Sequence, residues 1–258
     1  TLNKNTEGGY NNAIGGYALR CNTTGCYNNA IGPNALYNNL SGCYNAAIGL
    51  NALYANTTGC DNTAIGRTTL VSTTTGSNNT AVGSIALNVN TGDNNTAVGK
   101  SALAANTSGS SNVAIGGIAL DAITTSSDNT AVGHEALTNA TSGAGNTALG
   151  KGTMTAVVTG SNNVAVGRYA LSANTSASNN VAVGINALVA NTTGASNTAV
   201  GAETLAANTT ASYNTALGKD AMTANTTGVS NTAVGHNALK SNTTGNYSVA
   251  VGELALQA

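Results

Sequence analysis

Apolar and polar positions along this chain follow a pattern that returns at a fixed interval. The stretch NNTAVGSIAL at 78–87 recurs as NNTAVGKSAL at 94–103. The Gly that closes each Ala-(Val/Ile/Leu)-Gly triplet falls at 15, 32, 49, 66, 83, 99, 116, 133, 150, 167, 184, 201, 218, 235 and 252. These fifteen copies are 17 residues apart, except for one step of 16 from Gly83 to Gly99. The missing residue lies between Leu87 and Gly92, which marks that stretch as a turn. The repeat runs through residues 1–258 without an internal boundary, so a single repeat domain is expected.

The columns of the repeat differ sharply in tolerance. Ala stands two residues before the anchoring Gly in every copy, and Val, Ile or Leu stands between them. Leu, or Met at 154 and 222, follows four residues after the anchor. Asn stands four before it in all copies but one, where Ser248 replaces it. A unit with so few large apolar residues cannot bury a core alone, but stacked copies can cover one another. Frequent Gly and Asn oppose helix, and Asn-Thr-Thr-Gly has turn chemistry.

The pattern therefore predicts an all-β chain: a parallel β-solenoid, or β-roll, of fifteen 17-residue coils. Two short strands are expected per coil, N-T-A-V and A-L-x-A, stacked about 4.8 Å apart. Val82, Leu87, Val98 and Leu103 represent the expected core ladder. Asn79, Asn95, Asn112 and Asn129 are expected to stack at a corner, each amide bonding its neighbours above and below. Side chains alternate across a strand, so an inward Val98 implies an outward Ala97. An outward column that never drifts, here Ala81, Ala97, Ala114, Ala131, Ala148 and Ala165, has two readings. It relieves crowding beside the Gly turn, or it packs closely against another surface, most simply a second copy of the chain.

The segments N-T-A-V-G and N-V-A-I-G or N-V-A-V-G (Asn112–Gly116, Asn163–Gly167, Asn180–Gly184) resemble the head repeats of YadA-like trimeric autotransporter adhesins. The fuller NTAVGxxAL-xxNTTG unit also resembles repeats of bacteriophage tail-fibre proteins. The resemblance implies a left-handed β-roll, association of three chains with the Ala column near the trimer interior, and an extracellular fibre or adhesin. The Asn-Thr-Thr-Gly turn is longer than the connection usual in the adhesin family.

Composition narrows the function classes. Charged residues make up 7% of the chain and the net charge is −1, so no basic surface points to nucleic acid. No apolar run reaches the roughly 20 residues of a membrane span. Of the seventeen charged residues, nine follow the anchor by one or two positions, where a solvated corner is expected. His134 and His236 share that corner six coils apart, too far to share a metal. Carboxylates show no paired spacing for acid–base work, and no phosphate-binding loop is present. The expectation is a chain without catalytic residues, metal or cofactor.

Cys26, Cys43 and Cys60 share one register, with Cys21 across a turn from Cys26. The expected rise lies within the Cα range of a disulfide, so bridges 21–26 and 43–60 are one pairing, interchain bridges are another, and either favours an oxidising, extracellular setting. Nine N-x-(Ser/Thr) sites fall seven residues after the anchor: Asn22, Asn39, Asn56, Asn106, Asn174, Asn191, Asn208, Asn225 and Asn242. They read as glycan acceptors on an exposed turn or as turn chemistry alone. The uniform repeats lead us to expect flanking domains or end-to-end polymerisation. The function expected is a non-enzymatic fibre shaft or adhesin segment on a cell or virion surface. Its partners would be copies of itself and a host receptor or surface glycan. The alternative is a flat-face binder of ice or polysaccharide, carried by Thr at 63, 80, 96, 130, 147, 198, 215 and 232, although alternation would place those Thr inside.

Overall fold

A computed structural model describes residues 1–156 and 159–257. The chain divides into two compact units, Thr1–Asp128 and Asn129–Ala258. The first contains β1 (Asn12–Ile14), β2 (Asn29–Ile31), β3 (Ala46–Ile48), β4 (Thr63–Ile65), β5 (Thr80–Val82), β6 (Thr96–Val98) and β7 (Val113–Ile115). The second contains β8 (Thr130–Val132), β9 (Thr147–Leu149), β10 (Val164–Val166), β11 (Val181–Val183), β12 (Thr198–Val200), β13 (Thr215–Leu217), β14 (Thr232–Val234) and β15 (Val249–Val251). In each unit consecutive strands pair in parallel and in register: Thr80 with Thr96, Ala81 with Ala97, and Val82 with Val98 in the first. Val181, Ala182 and Val183 pair likewise with Thr198, Ala199 and Val200 in the second. Each unit is thus a β-solenoid, one coil per repeat. Among the described residues no helix is long and apolar enough to cross a membrane.

Among the described residues, one three-residue strand is seen per repeat. The A-L-x-A segment expected as a second strand is a run of turns, because two of its backbone positions are left-handed. In the coil after β6, φ is +55° at Ser101 and +54° at Leu103, whereas a parallel strand needs about −120°. The same two positions are left-handed from coil to coil, with Leu at +48° to +54° and only Gly152 supplying a glycine at the earlier one. Non-glycine residues lose roughly 1–2 kcal/mol in that region. Inter-coil bonds offset the loss: the Leu103 N–H donates to the Ala119 carbonyl at 3.0 Å and the Leu87 N–H to Ala102 at 3.0 Å. Gly99 closes its strand at φ +135°. A Cβ there would lie 2.5 Å from the Gly116 carbonyl oxygen, so the anchor admits no other residue.

The core reverses the sequence-based assignment. Ala81, Ala97, Ala114, Ala131, Ala148 and Ala165 are fully buried inside their own coils, where they face Leu87, Leu103 and their equivalents, also fully buried. Val82 and Val98 belong to the other face of the strand and remain half-exposed. The reason is the width of the coil. Opposite each strand the tight turn presents a Leu and, beside it, a second buried Ala such as Ala86 or Ala102. The remaining interior admits one methyl group per strand, so the branched side chain is turned out. The invariant Ala is a core residue and needs no second surface to explain it.

Candidate functional site: the outward strand face and the inter-coil ladders

Because Ala faces inward, residues on either side of it face outward. Each strand therefore presents two side chains on one face, Thr or Val first from β4 onward (Asn12, Asn29 and Ala46 in β1–β3) and Val, Ile or Leu second. The first unit shows Thr63 and Ile65, Thr80 and Val82, Thr96 and Val98, and Val113 and Ile115, aligned by the register. Ile65 is 39% exposed and Ile115 40%. The second unit repeats the face from Thr130 and Val132 to Val249 and Val251, with Leu149 47% and Leu217 46% exposed. The Thr residues at 63, 80, 96, 130, 147, 198, 215 and 232 were expected inside and lie on this outer face. Neighbouring strands bring equivalent side chains about 4.8 Å apart. Nothing charged interrupts the strands themselves.

Two asparagine ladders brace the coil behind this face. In the first, the Asn95 N–H donates to Asn79 Oδ1 at 3.0 Å while Asn95 Nδ2 donates to the Gly109 carbonyl at 2.9 Å. Asn112 repeats both contacts, to Asn95 Oδ1 at 3.0 Å and the Ser126 carbonyl at 2.9 Å. Asn79, Asn95, Asn112 and Asn129 are fully buried, and the Asn146 N–H donates to Asn129 Oδ1 at 3.0 Å.

The second ladder was read from the sequence as turn chemistry or a row of glycan acceptors. Asn22, Asn39, Asn56, Asn106, Asn174, Asn191, Asn208 and Asn225 are fully buried; Asn242 is half-buried. Asn39 Nδ2 donates to Asn22 Oδ1 at 2.7 Å and to the Gly42 carbonyl at 2.9 Å. Asn208 Nδ2 donates to Asn191 Oδ1 at 2.8 Å and to the Ala211 carbonyl at 3.0 Å. Nδ2 is the atom a glycan would take; at Asn39 and Asn208 it is enclosed with both hydrogens in use, so a glycan does not fit these two positions in the folded chain, while Asn242 is only half-buried. Where the ladder lacks an Asn, an oxygen is orphaned. Asn56 Oδ1 and Asn106 Oδ1 are buried without a hydrogen-bond partner, and the next coil holds Thr73 and Ile123 in the corresponding places. At the shortened turn Asn90 keeps the ladder, accepting from Asn106 Nδ2 at 2.6 Å.

Cys26, Cys43 and Cys60 form a third ladder rather than disulfides. All four are free and half-buried. The Cys26 N–H donates to Cys43 Sγ and the Cys43 N–H to Cys60 Sγ, each at 3.1 Å. In several other coils a serine oxygen takes the place of sulfur: the Cys60 N–H donates to Ser77 Oγ at 3.1 Å and the Ser161 N–H to Ser178 Oγ at 3.0 Å. Pure translation keeps like atoms of neighbouring coils about 4.8 Å apart, against the 2.05 Å of an S–S bond. Cys21 stands in a different column, its N–H bonded to the Tyr37 carbonyl at 3.0 Å. Beside the thiols runs a tyrosine stack that sequence reasoning missed although a 17-residue spacing marks it. The Tyr10 and Tyr27 ring centroids are 4.8 Å apart and those of Tyr27 and Tyr44 5.0 Å. Arg20 lies 5.2 Å from the Tyr17 ring centroid.

Charged side chains stay at the corners. His134 lies 3.7 Å from Glu135, and His236 3.4 Å from Glu253 in the next coil. Lys219 pairs with Asp220 at 2.6 Å and, by its hydrogen bond, holds the Asp220 carboxyl below the ordinary value. Burial pushes the Asp121 carboxyl up, and its Oδ1 is buried without a hydrogen-bond partner. Among the described residues no three His, Cys, Asp or Glu side chains converge to hold a metal ion. No protein-family model matches the chain, and no curated protein matches it.

Proposed function

We propose that the chain is a non-enzymatic structural segment of an extracellular fibre or adhesin, which self-associates, as a trimer, through the outward Thr/Val face. The observation that carries this reading is the face itself. In each unit, two uncharged side chains per strand repeat in register and a substantial part of their apolar surface stays exposed within the single chain. Contiguous apolar surface of this kind marks an association site, and a strip two side chains wide suits copies arranged around a common axis. The resemblance of the repeat to trimeric adhesin heads and tail-fibre repeats supports three chains. The interface differs from the one first expected: Val and Ile, not the Ala column, would meet at the axis.

The test is molar mass by light scattering. Three chains of 25.1 kDa, about 75 kDa, are expected for the wild type, and a single-chain mass for Val183→Glu with its circular dichroism unchanged. A wild-type monomer would overturn the assembly. One observation favours a second reading, a flat-face binder of ice or polysaccharide. Thr63, Thr80 and Thr96, and again Thr198, Thr215 and Thr232, form outward runs on consecutive strands. A monomer showing thermal hysteresis, lost in Thr215→Lys, would establish it.

A further inference from the structure

The Cys26–Cys43–Cys60 ladder has a geometry suited to chemistry other than bridging. The three thiols repeat one orientation. Each sulfur accepts a peptide N–H from the preceding coil: Gly9 to Cys26 Sγ at 3.3 Å, then Cys26 and Cys43 to their partners at 3.1 Å. Each also points its own donor at the carbonyl two residues back, Thr24 at 3.3 Å, Ser41 at 3.4 Å and Thr58 at 3.5 Å. Side chains with the same partners on every coil are related by translation, so neighbouring sulfurs stand about one coil rise apart, ~4.8 Å. That is more than twice an S–S bond, and Cβ atoms related by the same translation stand near the same rise, beyond the usual 3.5–4.5 Å of a bridge. It does match another span. Two collinear metal–sulfur bonds of about 2.3 Å each, the length of a zinc–thiolate bond, reach about 4.6 Å.

We propose that adjacent thiols of this ladder, Cys26 with Cys43 or Cys43 with Cys60, form a linear two-coordinate site for a soft monovalent cation of the Cu(I) or Ag(I) class. Thiolates select such ions. On binding, each of two thiols releases its proton to solvent and its sulfur gives a lone pair to the metal. No electron changes owner, and the S–M–S unit carries one negative charge. The peptide N–H groups of the preceding coils already point at the sulfurs and face that charge. The half-buried thiols are open to solvent for entry. Among the described residues no three ligands converge as tetrahedral zinc requires, whereas a linear ion needs only two. Cys43 is the shared ligand, since Cys26 and Cys60 lie two coils apart, about 9.6 Å, too far for one ion.

The experiment is Ag(I) retention by the reduced chain of residues 1–258. Protein is loaded at equimolar silver, washed with a competing monothiol, and weighed by native mass spectrometry. Wild type, Cys21→Ser, Cys26→Ser and Cys60→Ser should each keep one ion, while Cys43→Ser should keep at least tenfold less. Serine already occupies this column at Ser77 with the same N–H contact, so Cys43→Ser should retain the wild-type circular dichroism. Retention by Cys43→Ser equal to wild type, loss from either flanking variant, or no retention by the wild type would overturn the site. So would closure of a disulfide, seen as a mass two hydrogens lower, in place of silver uptake.

Discussion

Ala97 and Val98 adjoin in the chain and sit in opposite environments. The smaller is fully buried and the larger is turned outward. Alternation along the strand was read correctly, but its phase was not, because the larger apolar residue was assumed to face the core. Space decides otherwise. Ala97→Leu should lower stability by about 1–3 kcal/mol or more through overpacking, whereas Val98→Ile should be within about 0.5 kcal/mol, since Ile115 already occupies the same column. Thermal unfolding of the two variants checks the pair; equal effects would contradict the inward assignment of Ala. Asp121 is the other informative residue. Burial raises its carboxyl above the ordinary value, so the folded state holds that proton more tightly than the unfolded chain does, and stability is lost as pH climbs through the raised value. Asp121→Asn should therefore raise the melting midpoint at pH 7 and change it little at pH 3, where the wild-type carboxyl is already protonated in both states.

At the scale of the element, the coil is held by ladders more than by its three-residue strand. The strand is short because left-handed residues bound it: Asn94 at φ +59° before β6 and Gly99 at +135° after it. Sequence reasoning saw a second strand in A-L-x-A because alternation of Ala and Leu looks like a strand and φ leaves no mark on side-chain polarity. Nor did it separate the two asparagine columns by role, since Asn-Thr-Thr-Gly reads equally as a turn or an acceptor site. The inter-coil contacts make the distinction and yield a prediction. Thr73 interrupts the second ladder and leaves Asn56 Oδ1 without a donor. Thr73→Asn restores Asn-Thr-Thr-Gly at 73–76, offers an amide donor to Asn56 and an acceptor to Asn90, and gives up one bond, from Thr73 Oγ1 to the Asn90 carbonyl at 2.7 Å. A gain on the order of 1 kcal/mol is expected, the net worth of a buried hydrogen bond. A lowered denaturation midpoint would show that the orphaned oxygen is not the weak point.

On the scale of the whole molecule, each unit conceals its polar ladders and displays its apolar strand face. In an ordinary sheet the branched residues turn inward and polar residues turn out; here the narrow coil makes that arrangement impossible. The self-association proposed above follows from this inversion. A trimer mass that survives Ala114→Ser but not Val183→Glu would place the contact on the Val column and remove it from the Ala column first expected to carry it. The face was hidden from sequence reasoning by the phase error, and the thiol ladder was visible as a 17-residue spacing but not as a set of parallel, separated sulfurs.

The sequence by itself determined the period, the parallel stacking of coils and the turn at the shortened repeat, because these depend on spacing and composition. It also determined that one Asn column would stack, since an amide repeated in register can satisfy itself only through its neighbours. Tertiary structure decided which side of each strand is the core, which asparagines are enclosed and how far apart the sulfurs stand. Those depend on the cross-section of the coil and on backbone angles, and neither quantity is written in the order of polar and apolar letters.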